Sequence, residues 1–359
     1  MMSNKKLRTW LVACGTILLL AAVISGCGSP TTDPAEQPGE TPAPAQTIRI
    51  DASLFVPEGD IFAIPFKWWM EEVESRTEGR VQITPHYAGS LATIFETLDA
   101  VRDGSIDMGL TAASATSGEI TELAIMEPIS AYGQDIDNPE RSQALYEAAH
   151  PIVAEIFAQR NTKLLFWGPC STQNFTVHTD RFLIEPEDYR GQTIRGAGRW
   201  QAEQIAALGA SAISIDPSEL YVGLQQGTLD GAIQIAGLTL SGRLYEVAPY
   251  MVSLNMPQNT IYFIINNDVW DEIPEADKDI IKEVSREASI RMAVDISAAE
   301  IQAIAQLEEA GAEIYELSEG ERQAYYDAFK PVFDEIENIS SSSPEGEQLV
   351  EIMREFRDF

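Results

Sequence analysis

Apolar positions along this chain switch repeatedly between a period of two and the period of a helix. Residues 81–87 alternate as a strand does, while Ile94, Phe95, Leu98 and Val101 share one face of a helix over about 93–103, with Gly104 as its stop. Residues 106–111 follow as a short strand. Upstream, a strand over 47–54 and a helix over about 61–77, ended by Gly79, complete a β-α-β-α-β run. That run is the pattern of an α/β domain with parallel strands. A helix over about 139–159 then leads to an apolar strand at 164–167.

After Asn174 the alternation resumes. It predicts a strand near Phe175, a turn at 185–188, strands at 193–196, 212–215 and 231–235, and helices over about 200–208 and 218–226. These form a second α/β domain. An apolar strand at 261–266 is expected to return to the first. Residues 275–310 contain neither Gly nor Pro, so an unbroken helix there would run about 50 Å. One domain of ~150 residues is too small for it, so it must span both domains or bend. Helices over about 319–338 and 345–357 close the chain. The expected division is 47–172 for the first lobe, with 259–290 returning to it, and 173–258 for the second, with part of 291–359 packed on it.

The first residues read differently. Lys5, Lys6 and Arg8 precede an apolar run over 11–24, the layout of a secretory signal. The run is short of the ~20 residues of a membrane span; an uncut amphipathic anchor is the competing reading. Ile24-Ser25-Gly26-Cys27 resembles a bacterial lipobox. Leu11-Val12-Ala13-Cys14 matches it locally but precedes most of the apolar run, so Cys27 is the expected lipidation site, with 1–26 as signal peptide. Residues 27–46, rich in Pro, Thr, Ala and Glu, then form a flexible tether. Because one acyl chain holds a membrane only marginally, the anchor would carry several. The chain is thus expected outside the cytoplasm, on the periplasmic side or the outer face of the cell membrane, touching membrane through its lipid alone, and monomeric. Beyond the anchor only Cys170 remains, so no internal disulfide framework can form.

The formal charge of −32, which loss of the three signal cations takes to −35, repels nucleic acid and anionic headgroups. Solubility accounts for most of it, and an anionic ligand would need a locally placed cation. Catalytic motifs are absent. His86, His150 and His178 stand apart without metal-ligand spacing. Neither a Gly-x-Ser-x-Gly elbow nor a phosphate loop occurs. Gly196-Ala197-Gly198 lies between a strand and a helix, but Gln201 fills the third glycine position of a dinucleotide loop. No cofactor and no metal is expected.

The informative stretch is 189–234. It holds Tyr189-Arg190-Gly191-Gln192-Thr193-Ile194-Arg195, Ala207-Leu208-Gly209-Ala210, Ser218-Glu219-Leu220-Tyr221, Leu224-Gln225-Gln226-Gly227 and Leu229-Asp230-Gly231. Tyr245-Glu246-Val247 and Tyr250 follow, with Gly104-Ser105-Ile106-Asp107-Met108 before and Asn266-Asn267-Asp268-Val269-Trp270 after. In order and spacing these resemble the solute-binding subunits of tripartite ATP-independent periplasmic (TRAP) transporters, the DctP-like family, over about 48–333.

The resemblance implies a two-lobed α/β periplasmic-binding-protein-like fold (type II), a ligand cleft between the lobes and a long helix bracing both. It also implies a small organic acid as ligand and a TRAP-type membrane permease as partner. At the position of Arg195 the family carries an arginine that clamps the ligand carboxylate. The residue itself suits this: it ends a short strand, where open α/β sheets bind ligands, and a guanidinium matches a carboxylate in a two-pronged pair. A structural salt bridge is the competing role.

Other positions depart from the family pattern. Gln173, Asn174 and Phe175 stand where a second arginine is common, Gln234 replaces an asparagine, Pro217 an aromatic, and Gly-Ala-Gly follows Arg195 where bulkier residues are usual. Ala232-Ile233-Gln234 lacks the carboxylate by which some members hold a cation. Together these point to a single-carboxylate ligand with an apolar or aromatic part. Phe55, Trp167, Phe175 and Trp200 are candidate walls, with core packing as the competing role, and Thr111 and Ser114 candidate hydroxyls. A sensor subunit presenting its ligand to a receptor, a receptor for a small amine, and an exported enzyme are the alternatives.

Overall fold

The computed structural model describes residues 47–357, so the signal, Cys27 and the tether lie outside the described residues. The first sheet takes β1 (Ile48–Ser53), β2 (Val81–His86), β3 (Met108–Ala112) and β4 (Thr162–Ser171). The second takes β5 (Phe175–His178), β6 (Thr193–Gly196), β7 (Ser211–Ser214), β8 (Gly231–Gln234) and β9 (Tyr250–Ser253). The chain then returns to the first sheet as β10 (Gln258–Asn266) and to the second as β11 (Glu313–Glu316). The orders are β2-β1-β3-β10-β4 and β11-β9-β5-β8-β6-β7. β10 runs antiparallel between β3 and β4, and β5 antiparallel between β8 and β9; the other pairings are parallel. Two short stretches, after β4 and after β9, carry the chain between the sheets.

Both central strands of the first sheet are buried along their whole length: β3 shows no exposed residue and neither does β10. Helices on both faces require this, and it explains why these strands read as apolar runs, not as alternations. Their faces meet an aromatic stack in which Phe166 and Phe263 lie 4.0 Å apart between ring centres, flanked by Phe66 and Trp69. The Trp69 indole donates to Ser285 Oγ on the long helix at 2.9 Å, so its polar edge is satisfied inside the core.

That helix runs unbroken over Glu275–Glu309. Its first half places Ile281, Val284, Ala288, Met292 and Ile296 in the first sheet's core, and its end places Ala303 and Leu307 in the second's, beside Phe175, Val177 and Met251. It therefore spans both layers. A Cβ on Gly168 of β4 would fall 2.8 Å from Met292 Sδ, so glycine lets the strand lie against the helix. Gly311, at φ +97, ends it in the left-handed turn expected after a helix. Two further helices, Glu319–Ser340 and Pro344–Glu355, pack against the segment 121–126; the former also packs on the helix Arg199–Ala207 and the latter on the helix Pro139–Ala158.

Two strands have no counterpart in the expectations, β9 and β11. Each is four residues, and β11 lies at a sheet edge with its ends exposed, too short and too wet to write a period into the sequence. β4 and β10 each extend beyond their apolar runs, β4 through Gly168-Pro169 and β10 back to Gln258, because neighbouring strands supply partners for polar residues too.

Candidate functional site

Arg195 lies near the end of β6, its backbone paired with Ala232 of β8 and Ile213 of β7. Ile194 turns into the core, so Arg195 turns to the opposite face. The residue is only 4 % exposed. Its Nε and Nη2 donate to the Ile215 carbonyl at 3.4 and 3.2 Å, and among the described residues no carboxylate lies within ion-pair distance. Burial pulls the guanidinium down to about 10, opposed by the nearby Asp216 charge. Such a cation is costly to bury without a counter-ion.

It opens onto a cavity of about 40 Å3. Ser114, Ala112 and Phe62 close this cavity from the first sheet's side; Ala197, Gln201 and Gln234 close it from the second's. Gln258 and Asn259, at the start of β10, complete the polar lining, and Cys170 adds a thiol whose pKa burial pushes well up. Through Phe55, Ile94, Pro217, Gln234 and Leu238 the cavity joins a larger one of about 320 Å3. The outer cavity carries Asp216, Ser218 and Tyr221 at its wall.

Contacts between the two sides ring the inner cavity. The Glu127 carboxylate, fully buried and pushed up to about 7 by burial, accepts from the Ser117 hydroxyl and from Trp200 N at 2.8 Å. It thereby seats on the first turn of the helix Arg199–Ala207. Gly198 precedes that helix, and a Cβ there would lie 2.5 Å from Ser114 O and 2.6 Å from Glu127 Oε1. Asp60 accepts from Phe62 N at 3.0 Å and from the Ser241 hydroxyl of the other side at 3.3 Å. On the long helix, Glu300 receives Ser171 Oγ, Thr172 N and Thr172 Oγ1 at 2.7 to 2.9 Å, fixing the stretch that leaves β4 for β5.

Of the residues singled out in the sequence, Arg195, Gln234, Ser114 and Phe55 line these cavities. The others do not. Phe175 joins the second sheet's core, and Trp200 is 1 % exposed within a separate core cluster. Trp167 packs away from the cleft with its indole donating to His150 at 3.3 Å. The Thr111 hydroxyl donates to Ile94 O at 3.4 Å, Gln173 sits under Glu300, and Asn174 is buried at the crossing to β5. Strand alternation or the crossing geometry sends these side chains elsewhere, except for Trp200, which its helix turns into the core. Gln201 drew notice only as the residue in a glycine position of a dinucleotide loop, and Gln258 and Asn259 went unremarked because they precede the apolar run of β10. Their polar character inside an otherwise apolar region was the available signal.

Residues 52–339 match the family model for bacterial extracellular solute-binding protein, family 7, DctP. The chain belongs to this family. It is a TRAP-type extracytoplasmic solute-binding protein, and proteins of this type serve a membrane permease. A solute-binding protein of Albidiferax ferrireducens is 25 % identical over 299 residues, covering 79 % of this chain and 85 % of that one. A monocarboxylate 2-oxoacid-binding periplasmic protein of Nostoc sp. is 24 % identical over 295 residues, covering 80 % and 78 %. The fold matches a TRAP periplasmic solute-binding protein of Desulfovibrio salexigens solved with orotic acid, at TM-score 0.78 and 22 % identity, covering 86 % of this chain and 98 % of that one. Among the described residues no helix is long and apolar enough to cross a membrane, and no group of three or more His, Cys, Asp or Glu is placed to hold a metal ion.

Proposed function

We propose that this DctP-family chain captures a small monocarboxylate with an apolar or aromatic part between its two lobes and delivers it to a TRAP-type permease without chemical turnover. The lobes correspond to 47–172 with 259–290, and to 173–258 with part of 291–359; Cys27 carries the lipid that keeps the receptor at the membrane. One observation carries the ligand reading: Arg195 is buried, without an ion-pair partner among the described residues, and faces a cavity between the sheets. A carboxylate entering there gains a two-pronged, charge-assisted pair and removes the cost of an isolated buried cation. Phe55, Ile94, Pro217 and Leu238 supply the apolar surround, and among the described residues no second cation lines either cavity, which supports one carboxylate over two. The Nostoc relative named for monocarboxylates supports the same reading.

The test is to release the co-purified ligand, identify it by mass spectrometry, and titrate it back by calorimetry. Charged hydrogen bonds contribute ~1.5–3 kcal/mol each, so Arg195→Ala is expected to weaken binding by about two orders of magnitude or more. Arg195→Lys keeps the charge but loses the fork, and should fall between. Unchanged affinity in both variants would overturn the assignment of the clamp, and conversion of the ligand on incubation would overturn capture without turnover.

A further inference from the structure

Four carboxylates are buried among the described residues: Asp60, Glu127, Asp277 and Glu300. Asp277 is ion-paired with Arg80; the other three have no Lys or Arg nitrogen of the described residues within ion-pair distance. Glu300 holds the crossing stretch through Ser171 and Thr172. The remaining two reach from the first sheet's side to the second's. Glu127 Oε1 accepts from Trp200 N at 2.8 Å and Gln201 N at 3.4 Å, and Asp60 Oδ2 accepts from Ser241 Oγ at 3.3 Å. A glycine marks the close approach at each contact. A Cβ on Gly198 would fall 2.6 Å from Glu127 Oε1, and one on Gly237 would fall 2.7 Å from Ile61 Cγ2, next to Asp60.

Each carboxylate also has an anchor on its own side: Glu127 Oε2 accepts from the Ser117 hydroxyl, and Asp60 Oδ1 from Phe62 N at 3.0 Å. Those anchors survive when the two sides part, whereas the contacts to Trp200, Gln201 and Ser241 give way to water. Closing strips that water from two anions and supplies N–H and O–H donors but no cation. Lost solvation outweighs the donors: burial raises Glu127 from 4.5 to about 7 and Asp60 from 3.8 to about 6.

The ionisable groups facing them do not offset this. Arg199 heads the helix that Glu127 caps, but it is half exposed and leans to Glu335 at 3.7 Å. Tyr262, within electrostatic reach of Glu127, and Tyr132 beside it are kept neutral by burial, as is the Cys170 thiol within reach of Asp60 and Glu300. Glu58, on the same loop as Asp60, pairs with Lys67 at 3.3 Å. His150 and His178, pulled down to about 4 and 3 by burial, stay neutral above pH 5. Arg195 is the buried cation of the inner cavity, and a ligand carboxylate neutralises it.

We infer that Glu127 and Asp60 take up protons as the lobes close, so that capture of an anionic ligand is coupled to proton binding and is tightest in mildly acidic surroundings. This rests on closure of the lobes over the ligand, not on which acid is bound. Closing raises both groups, so its contribution to affinity is complete below their open-form values and is lost as pH climbs through the closed-form ones, between about pH 4 and 7. The two carboxylates act as positioning residues: neither touches the ligand, and both set how readily the second lobe seats on the first.

The acid released from the purified protein, titrated into stripped protein by calorimetry, tests this. Worked through the two titrations, binding should be on the order of 100-fold tighter at pH 5.5 than at pH 8. At pH 6.5, where a simple carboxylic acid is already ionised, heats measured in phosphate and in imidazole buffer should differ by the uptake of about one proton per ligand. The double variant Glu127→Gln/Asp60→Asn keeps the acceptors for Trp200 and Phe62 without the charge. It should take up no proton, bind equally at both pH values and bind at pH 8 at least as tightly as the parent, with circular dichroism checking its fold. An affinity independent of pH in the parent, no proton uptake, or uptake that persists in the double variant overturns the inference. Small-angle scattering separates the two levels: compaction by the acid without proton uptake sinks the coupling and leaves capture between the lobes standing, while absence of compaction sinks both.

Discussion

Gly198→Ala places one methyl group where the second sheet's side meets Ser114 and Glu127 of the first. Glycine is required there by proximity alone, since its φ of −155 is open to any residue. The new Cβ would lie 2.5 Å from Ser114 O, 2.6 Å from Glu127 Oε1 and 2.8 Å from Ser114 Cα. Two of those three atoms are backbone of the segment that follows β3, so they cannot swing aside as a side-chain tip would. Overpacking of this kind costs ~1–3 kcal/mol. Displacing Glu127 would also weaken its charged hydrogen bond to Trp200 N, a further ~1.5–3 kcal/mol. Opening the cleft relieves both. The loss is therefore expected mainly in ligand affinity, about 100-fold or more by calorimetry, with a smaller change in the urea midpoint of the ligand-free protein. Gly118→Ala, with nothing within 4 Å of its Cβ, is the control and should lie within about 0.5 kcal/mol of the parent. An affinity equal to the control's, or a loss confined to the ligand-free midpoint, would refute the idea that the lobes must approach this closely to hold ligand.

Three further outcomes follow from buried charges. Burial raises Glu127 and Glu300 from 4.5 to about 7 and Asp60 from 3.8 to about 6. Groups raised on folding stabilise fully below their unfolded values and lose that contribution as pH climbs through the folded ones, so stability should fall between about pH 4.5 and 7. Glu300→Gln should flatten that decline by up to about 3 kcal/mol in urea titrations at pH 5 and pH 8; an unaltered slope would mean Glu300 is ionised throughout. Arg80 pairs with Asp277, which is 1 % exposed, through its Nη2 at 2.8 Å and Nε at 3.1 Å. Arg80→Ala strands that carboxylate at the start of the long helix and is expected to lower the thermal midpoint; no loss in a thermal melt would contradict this. Cys170, buried and with a raised pKa, should react with a thiol reagent only after unfolding in protein lacking residues 1–46, and rapid reaction in the native state would show the inner cavity to be open to solvent.

The order of strands and helices, β9 and β11 apart, was legible because local spacing writes it: the strand at 193–196, the unbroken helix from 275 and the stop at Gly311 need only their own neighbours. Arg195 was visible as the cation in a recognisable motif. What local spacing does not encode is which side chains face the same empty space. Trp200 and Trp167 are aromatic residues in a binding protein, yet each belongs to a core, and Gln201 and Gln258 meet across 57 residues of sequence.

Periodicity thus wrote the α/β alternation and the long unbroken helix, since these depend on residues a few positions apart, while Arg195 stood out through its resemblance to a family motif. The tertiary structure alone decided that Gly198 and Ser114 touch, that Glu127 caps a helix of the other side, and that Gln234 and Gln258 share a cavity with Arg195. Those facts depend on how two sheets approach one another, which spacing along the chain does not encode.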